Sequence, residues 1–398
     1  MASGNRYVQL GLIAAVQVLA MAMWFSASAV VPALREAWHI SDMQAVWLTA
    51  SVQVGFVAGA VVSAAFNLPD RFPPQRVAAC SALGAAAATA AVPLLANSFG
   101  PAVLCRLCAG FFLAGVYPVG MKLMASWFGA AGRGLALGVL IGALTVGSAL
   151  PHLIKGLGAL PWQGVLITAA AIGVGAALLA ATLVRPGPHL SGGGASHRPR
   201  YALEMFRERG PRLANLGYFG HMWELYALWT WLPSFVAAST GSGETTVGLV
   251  SFAAIGVAGV VGCLLGGWGA DRFGRAPAAG AALVVSGACC LLSPLVFGAS
   301  WPLLLVLLAI WGAAVIADSG VFSTALSEVA DSRYVGTALT AQTAIGFLLT
   351  VVTINLVPVL SALVGWRFAF LVLAPGPILG ALAMRALGRR TPAEGRGS

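Results

Sequence analysis

Residues 267–275 read Gly-Trp-Gly-Ala-Asp-Arg-Phe-Gly-Arg, and part of this stretch also occurs 201 residues earlier in the chain. The two copies share an Asp-Arg-Phe triplet, at 70–72 and at 271–273. In the earlier copy Phe66 and Pro73 stand where the later copy has Gly267 and Gly274. Other pairs lie 201 to 204 residues apart: Pro32 with Pro233, Gly110 with Gly312, Gly134 with Gly336, and Trp162 with Trp366. This nearly constant spacing predicts a duplicated unit that occupies about half of the chain.

The composition indicates that the duplicated unit lies in a membrane. Apolar residues make up 59 % of the 398 residues and charged residues only 9 %, whereas a soluble domain has about 25 % charged residues. A segment surrounded by lipid has to satisfy its own backbone hydrogen bonds, so each span must be a helix. We therefore predict an all-α membrane protein with roughly a dozen spans of about 20 residues.

Apolar runs between charged or Pro/Gly breaks predict twelve transmembrane helices in two six-helix bundles. The bundles are expected at residues 1–184 and 211–398, related by pseudo-two-fold symmetry around a central cavity. A cytoplasmic linker, rich in Pro and Gly, is expected at 185–210. The predicted spans are 8–34, 44–66, 76–97, 99–127, 133–155 and 162–184, followed by 211–237, 245–269, 276–298, 300–328, 334–360 and 363–386.

The distribution of Lys and Arg predicts the orientation. With a cytoplasmic N-terminus, 18 of the 22 basic residues fall on the cytoplasmic side, and only Arg35, Lys155 and Arg367 fall on the outer side. This bias follows the positive-inside rule and also explains the net charge of +10 without a nucleic-acid partner. We expect a multi-pass protein of the cell (inner) membrane, monomeric, with both termini in the cytoplasm.

Two motifs carry a resemblance to a known family. The stretch 267–275 resembles the loop signature between spans 8 and 9 of the major facilitator superfamily, and Arg106-Leu-Cys-Ala-Gly110 resembles that family's span-4 motif. The resemblance covers essentially the whole chain. It implies the twelve-helix, two-bundle fold and solute transport without ATP hydrolysis. The run from Gly115 to Leu123, followed by Trp127 and Phe128, is most similar to bacterial anion and solute porters.

The repeated loop motif is expected to act as a conformational latch. A carboxylate near a helix N-terminus and arginines near helix C-termini are both stabilised by the helix dipoles, and such contacts must break when the transporter changes state. The alternative interpretation is a turn whose charges only set the topology. The residues assigned to the latch are Asp70, Arg71, Gly267, Asp271, Arg272, Gly274 and Arg275.

Three ionisable residues lie well within the predicted spans: Arg106, Glu224 and Asp318. A charge at this depth costs at least about 2.5–3.5 kcal/mol, so each should face a cavity or a partner. Arg106 is a candidate for anchoring an anionic substrate or for proton transfer. Glu224, one turn from His221, and Asp318 are candidate proton carriers. The structural alternatives are an arginine bonded to carbonyls of broken helices and acids hydrogen-bonded inside a bundle.

Several uncharged residues are further candidates for the cavity. Trp24 and Tyr226 occupy nearly matching positions in the repeat, and their rings could stack on a ligand. Polar amides in spans often join helices instead of binding ligands, so packing is the competing interpretation. Tyr117, Gln53 and Gln342 complete the set, and His152 with Lys155 is expected near the outer vestibule.

These observations predict a secondary active transporter that moves a small polar or anionic solute by alternating access, coupled to protons. One alternative is proton-driven efflux of drugs or cations, with the carboxylates binding the cation. A minor alternative is transport of a transition metal, with Met21, Met23, Cys105, Cys108 and His221 as ligands. No Walker A, HExxH or GxSxG sequence occurs, so neither an enzyme nor a cofactor is predicted.

Overall fold

The computed structural model describes residues 5–66, 68–128, 133–157, 160–190, 200–331 and 334–389, and all secondary structure in these ranges is helical. Eleven segments are long and apolar enough to cross a membrane. The remaining long helix, Arg209–Thr240, has 32 residues but includes polar groups such as His221 and Glu224. With this helix the architecture is the predicted one, twelve spans in two bundles.

The first half contains six spans. Span 1 is broken into two helices, Arg6–Met21 and Ser26–Trp38. Span 4 is also broken, into Phe99–Leu113 and Tyr117–Trp127. Spans 2, 3, 5 and 6 are the continuous helices Asp42–Ala65, Pro74–Leu95, Arg133–Leu157 and Trp162–Thr182, with the short helix Leu68–Arg71 after span 2.

The second half follows the same plan. Spans 7, 9 and 11 are Arg209–Thr240, Arg275–Val296 and Val335–Val364. Span 8 runs through Glu244–Phe252, a π-helical segment Ala253–Ala258 and Gly259–Phe273. Span 10 is broken at Asp318 into Trp301–Ala317 and Ser319–Val329. Span 12 comprises Trp366–Ala369, a 3₁₀ segment Phe370–Leu373 and Pro375–Gly388.

The repeat inferred from the sequence is visible in these bounds. Span 4 runs from 99 to 127 and span 10 from 301 to 329, so both ends are offset by 202 residues. Span 3 and span 9 begin at Pro74 and Arg275, an offset of 201. Spans 4 and 10 are also both interrupted in their middle. The duplication therefore includes the helix breaks as well as the helices.

The two halves meet along two pairs of spans. Span 5 packs against span 8, and span 2 packs against span 11. Where spans 5 and 8 cross, a Cβ atom on Gly248 would collide with the backbone of His152 and Gly156, so a glycine is required for this close approach. The loops at 39–41, 96–98, 241–243, 297–300 and 365 define one side of the molecule, called the far side below. The opposite side carries the connection between the halves and is called the linker side.

The described end of the connection, residues 200–208, lies on the linker side. The sequence predicts a short surface helix at 201–209, and the structure has a helix at Tyr201–Glu204 followed by a 3₁₀ turn at Met205–Arg207. The Tyr201 side chain is buried against Tyr334 and accepts a hydrogen bond from the Asp331 amide. The connection is thereby attached to the loop between spans 10 and 11.

Candidate functional site

A cavity of about 510 Å³ lies between the two halves and extends to the far side. Residues from spans 1, 2 and 5 form one wall, and residues from spans 7, 8, 11 and 12 form the other. On the linker side, spans 5, 8 and 10 enclose only a cleft of about 30 Å³ next to Gly138 and Ile141. In the part of the chain that is described, the space between the halves is thus on the far side.

Charged groups line the entrance of this cavity. Lys155 Nζ of span 5 lies 3.0 Å from Glu244 Oε1 of span 8, so this ion pair joins the two halves. The two partners differ in exposure, because the Lys155 side chain is 19 % exposed and the Glu244 side chain 70 %. Arg35 and the buried ring of His152 also line the cavity. His152 and Lys155 therefore lie where the sequence placed them, at the vestibule.

The walls below the entrance combine hydroxyl groups with apolar surface. The Ser28 and Thr49 hydroxyls lie 2.7 Å apart and connect spans 1 and 2. Trp231 and Trp366 pack together with ring centroids 5.9 Å apart. The Trp231 indole donates to the Ile354 carbonyl oxygen, which fixes the ring orientation. A ligand in this cavity meets both hydrogen-bonding groups and flat apolar faces.

One helical turn deeper, six aromatic rings close the space between the halves. The distances between ring centroids are 5.7 Å for Trp24 and Tyr226, 5.5 Å for Trp24 and Phe347, and 4.5 Å for Phe56 and Phe347. This cluster, called the aromatic floor below, consists of Trp24, Phe25 and Phe56 from the first half and Tyr226, Trp229 and Phe347 from the second. The floor must separate before a solute can pass further.

Arg106 lies behind the floor and does not line the cavity. Its side chain is fully buried and donates to the carbonyl oxygens of Met23 at 3.0 Å and Leu48 at 3.4 Å, and also to that of Trp24. A further bond of 3.2 Å reaches the Ser26 hydroxyl. Two of these carbonyl groups, those of Met23 and Trp24, lie at the break in span 1, where helical partners are missing. It holds the backbone from which Trp24 and Phe25 project.

Asp318 and His221 form a buried pair at the break in span 10. His221 Nδ1 lies 2.8 Å from Asp318 Oδ1, and both side chains are 1 % exposed. His221 Nε2 lies 3.1 Å from the Ser319 hydroxyl. Asp318 Oδ1 accepts no hydrogen bond within the described ranges, so its contact with His221 is an ion-pair contact by distance. The sequence placed His221 beside Glu224, but the structure turns its ring toward Asp318.

Glu224 projects into the second half, away from the cavity. Its Oε1 accepts hydrogen bonds from Ser286 at 2.6 Å, Trp311 at 2.5 Å and the Cys290 thiol at 3.2 Å. These donors belong to spans 9 and 10. Glu224 therefore connects three helices of one bundle through a single oxygen atom.

The remaining uncharged candidates lie near the floor. Gln53 is buried in span 2, where its amide can donate to the carbonyl oxygens of Thr49 and Ala50. Gln342 is buried in span 11, and its Nε2 has no hydrogen-bond partner within the described ranges. Tyr117 begins the second helix of span 4 and is half-buried. None of these three lines the cavity at the far side.

In the loop motif of the second half, Arg275 contacts the side chains of two acids. Arg275 Nη1 lies 2.8 Å from Asp271 Oδ1, and Arg275 Nε lies 3.4 Å from Glu328 Oε1. Gly274 has a φ of 92°, a conformation that favours glycine, and Arg275 borders the small cleft beside span 5 together with Gly267. Arg71 and Arg272 are exposed. The Asp70 side chain lies outside the described residues, and the latch stays a prediction.

Several residues at these sites were not singled out in the sequence. Ser286 and Cys290 lie four residues apart on one face of span 9, and this spacing of small polar residues in an apolar helix is a signal that could have identified them. Nothing in the sequence marks Trp311 as a hydrogen-bond donor to Glu224. As for the metal alternative, in the described ranges no three His, Cys, Asp or Glu side chains cluster as metal ligands do.

Comparison with known proteins agrees with this architecture. The model of the Major Facilitator Superfamily matches residues 13–212 and 214–398. The chain belongs to the Major Facilitator Superfamily. Members of this family are transporters, and the sequence-based recognition is confirmed. No protein with a curated description matches the chain in sequence.

Solved structures of Major Facilitator Superfamily transporters share this fold. A bacterial homologue of the human lysosomal transporter Spinster, inward-facing and unoccupied, has a TM-score of 0.75 at 17 % identity, covering 98 % of this chain and 100 % of that one. The proton:xylose symporter XylE has a TM-score of 0.73 at 16 % identity, with 96 % of each chain covered. The nucleoside transporter NupG has a TM-score of 0.73 at 14 % identity, covering 96 % and 100 %. The protein is a multi-pass secondary transporter with the alternating-access architecture of this family.

Proposed function

We propose that this Major Facilitator Superfamily protein transports a small polar or anionic solute together with protons, and that the Asp318–His221 pair carries the coupling proton. The solute enters through the far-side cavity. With the cytoplasmic termini predicted from the arginine distribution, this is the outer side of the membrane. Transport then requires the aromatic floor to open and the small cleft on the linker side to widen.

The observation that carries this proposal is the position of the buried pair. Asp318 interrupts span 10, and Gly320, two residues later, faces Ile141 of span 5 across the boundary between the halves. A buried ion pair is maintained only while both partners are charged, because an uncompensated charge is costly at this depth. Gain or loss of one proton would therefore weaken or restore the ion pair at the break in span 10, which lies beside the boundary between the two halves.

Glu224 has different surroundings. Its Oε1 has three donors, all fixed by spans 9 and 10 of the same half. These bonds suit an acceptor that keeps its contacts through the transport cycle. We propose that Glu224 holds the second bundle together, and its candidacy as proton carrier is tested beside that of Asp318.

The charges of the cavity favour an anionic or neutral solute over a cationic drug. Among the described residues that line the cavity, the one carboxylate is Glu244, and it is paired with Lys155. Asp318 and Glu224, which would have to bind the cation in the efflux alternative, lie below or beside the floor and not in the cavity. A cation in this cavity would therefore meet basic groups first.

The test is proton movement in sealed proteoliposomes. A thermal-shift screen of small solutes first selects one that raises the melting temperature of the purified protein, as a ligand of the native state must. Addition of that solute should then drive a pH change that a dye inside the vesicles reports. Asp318→Asn should abolish this pH change while keeping the thermal shift, because the amide cannot exchange a proton.

The matched variant is Glu224→Gln, which changes the other buried acid in the same way. It should retain solute-driven proton movement, since an amide oxygen can still accept the hydrogen bonds. Loss of coupling in Glu224→Gln with wild-type coupling in Asp318→Asn would show that Glu224, and not Asp318, carries the coupling proton. Solute flux without any pH change in the wild-type protein would refute proton coupling altogether.

A further inference from the structure

The structure assigns Lys155 and His152 as the recognition site for the anionic group of the solute, which displaces Glu244 from Lys155 on binding. This inference rests on the proposed function and narrows it to one class of substrate. The solute is a small organic anion with an apolar body. Its negative group binds at the entrance, and its body lies against the walls above the aromatic floor.

The two recognition residues lie on one face of span 5. His152 and Lys155 are three residues apart, so their side chains project in nearly the same direction. Both line the cavity, and His152 is 4 % exposed. A carboxylate or phosphate oxygen placed between them can accept one bond from the ammonium group and one from the imidazole. Bonds of this charge-assisted kind are shorter and stronger than neutral hydrogen bonds.

Glu244 is suited to being displaced. Its side chain is 70 % exposed, so water can solvate the carboxylate as soon as it leaves Lys155. Exposed ion pairs contribute little free energy. Lys155, at 19 % exposure, has less access to water and needs an anionic partner more. An entering anion therefore exchanges with Glu244 at small cost, and Lys155 stays paired.

The exchange has a consequence for the two halves. Lys155 belongs to span 5 and Glu244 to span 8, so the ion pair links the bundles at the entrance. A bound anion removes this link and occupies Lys155 from the cavity side. Binding is thereby coupled to the freedom of the halves to move at the far side.

The requirement for an apolar body comes from the walls of the cavity. The apolar lining includes Trp231, Trp366 and Pro358, together with Val46 and Val247. Burial of apolar surface favours binding in proportion to the area removed from water. A small inorganic anion cannot use these walls, whereas a ring-bearing anion can.

The experiment is calorimetric titration of the purified full-length protein in detergent, without a pH gradient. The probes are phenylacetate, 2-phenylethanol, phenethylamine and acetate, which separate the charge from the ring. Phenylacetate should bind at least about tenfold more tightly than each of the others, as expected for one additional charge-assisted bond. Equal binding of phenylacetate and 2-phenylethanol would overturn the assignment.

Two variants give opposite results if the exchange is correct. Lys155→Gln should weaken phenylacetate binding about tenfold and remove the preference over 2-phenylethanol. Glu244→Gln should tighten binding about two- to fivefold, because the competitor for Lys155 is gone. Glu208→Gln, which removes an exposed acid on the linker side, should change nothing. Weaker binding in Glu244→Gln would contradict the exchange and indicate that the ion pair only holds the structure.

The binding titration and the proton-movement experiment test different claims. The titration needs no coupling, so a failure of Asp318→Asn to affect proton movement leaves the anion site intact. Conversely, loss of the preference for phenylacetate leaves the coupling assignment untouched. The two proposals are refuted by different measurements.

Discussion

The break in span 1 and the break in span 10 are stabilised in different ways. In span 1, the buried Arg106 donates to two carbonyl oxygens and one hydroxyl around residues 22–26, and also to the Leu48 carbonyl oxygen of span 2. In span 10, the break at Asp318 is stabilised by a single contact of 2.8 Å to His221, with Ser319 on the other ring nitrogen. One break is held by an arginine that makes several hydrogen bonds, and the other by a single contact between an acid and an imidazole ring.

This difference indicates that the two helix breaks have different roles. An arginine bonded to backbone carbonyls is insensitive to pH and makes the region around Trp24 rigid. The histidine–aspartate pair is the element to which the proposed function assigns the coupling proton. In that proposal the first half provides a fixed support for the aromatic floor, and the second half provides the element that responds to protons.

The largest effect is expected for Arg106→Leu. The substitution removes all four hydrogen bonds of the Arg106 guanidinium group, and an unsatisfied buried polar group costs about 1–3 kcal/mol. We expect a loss of more than about 4 kcal/mol and little monodisperse protein by fluorescence-detected gel filtration. Arg71→Leu, an exposed arginine on the linker side, is the control. Normal yield and melting temperature in Arg106→Leu would show that the break supports itself.

A smaller effect is expected for His221→Leu. The variant leaves a buried carboxylate without its partner, which costs about 3 kcal/mol. The melting temperature of the purified variant should therefore fall, and solute-driven proton movement in vesicles should be lost. A wild-type melting temperature together with wild-type coupling would count against the pair as the responsive element.

Ser319→Ala should have a modest effect. It removes one hydrogen bond to the His221 ring, which contributes about 0.5–1.5 kcal/mol. The pair itself stays intact, so proton movement in vesicles should continue at a changed rate. Complete loss of coupling in this variant would mean that the hydroxyl itself conducts the proton.

Asp271→Asn should have the smallest effect on stability. The side chains of Asp271 and Arg275 are 54 % and 29 % exposed, and such pairs contribute about 0–1 kcal/mol. The melting temperature should stay within a degree or two of wild type at low and high salt, whereas the transport rate should fall if the latch prediction is correct. Unchanged transport would reduce the motif to a topology signal.

Much of the fold could be predicted from the sequence. The scarcity of charge and the length of the apolar runs placed all twelve spans, with ends within a few residues, and the spacing of Asp70 and Asp271 indicated the duplication. Span 4, predicted at 99–127, has these bounds in the structure. The position of each span depends on whether lipid or water surrounds that segment, and the hydropathy of the segment itself shows this.

The partners of the buried charges could not be predicted in the same way. The helical spacing correctly placed His221 near Glu224, but the side-chain rotamer selected Asp318, 97 residues away. The donors to Glu224, among them Ser286 and Trp311, come from spans whose rotation depends on tertiary packing. For Arg106 the sequence left two interpretations open, and the structure shows the contacts of the structural one.

The most direct test of the account measures distances between the halves by electron–electron resonance. Spin labels at Ala37 and Thr245 report the far side, and labels at the exposed positions Arg76 and Arg212 report the linker side, in a protein whose Cys80, Cys105 and Cys108 are replaced. In the wild-type protein, lowering the pH should change the balance between far-side-open and linker-side-open populations, and Asp318→Asn should show one balance at every pH. A pH-dependent shift that persists unchanged in Asp318→Asn would contradict the claim that this pair links protons to movement.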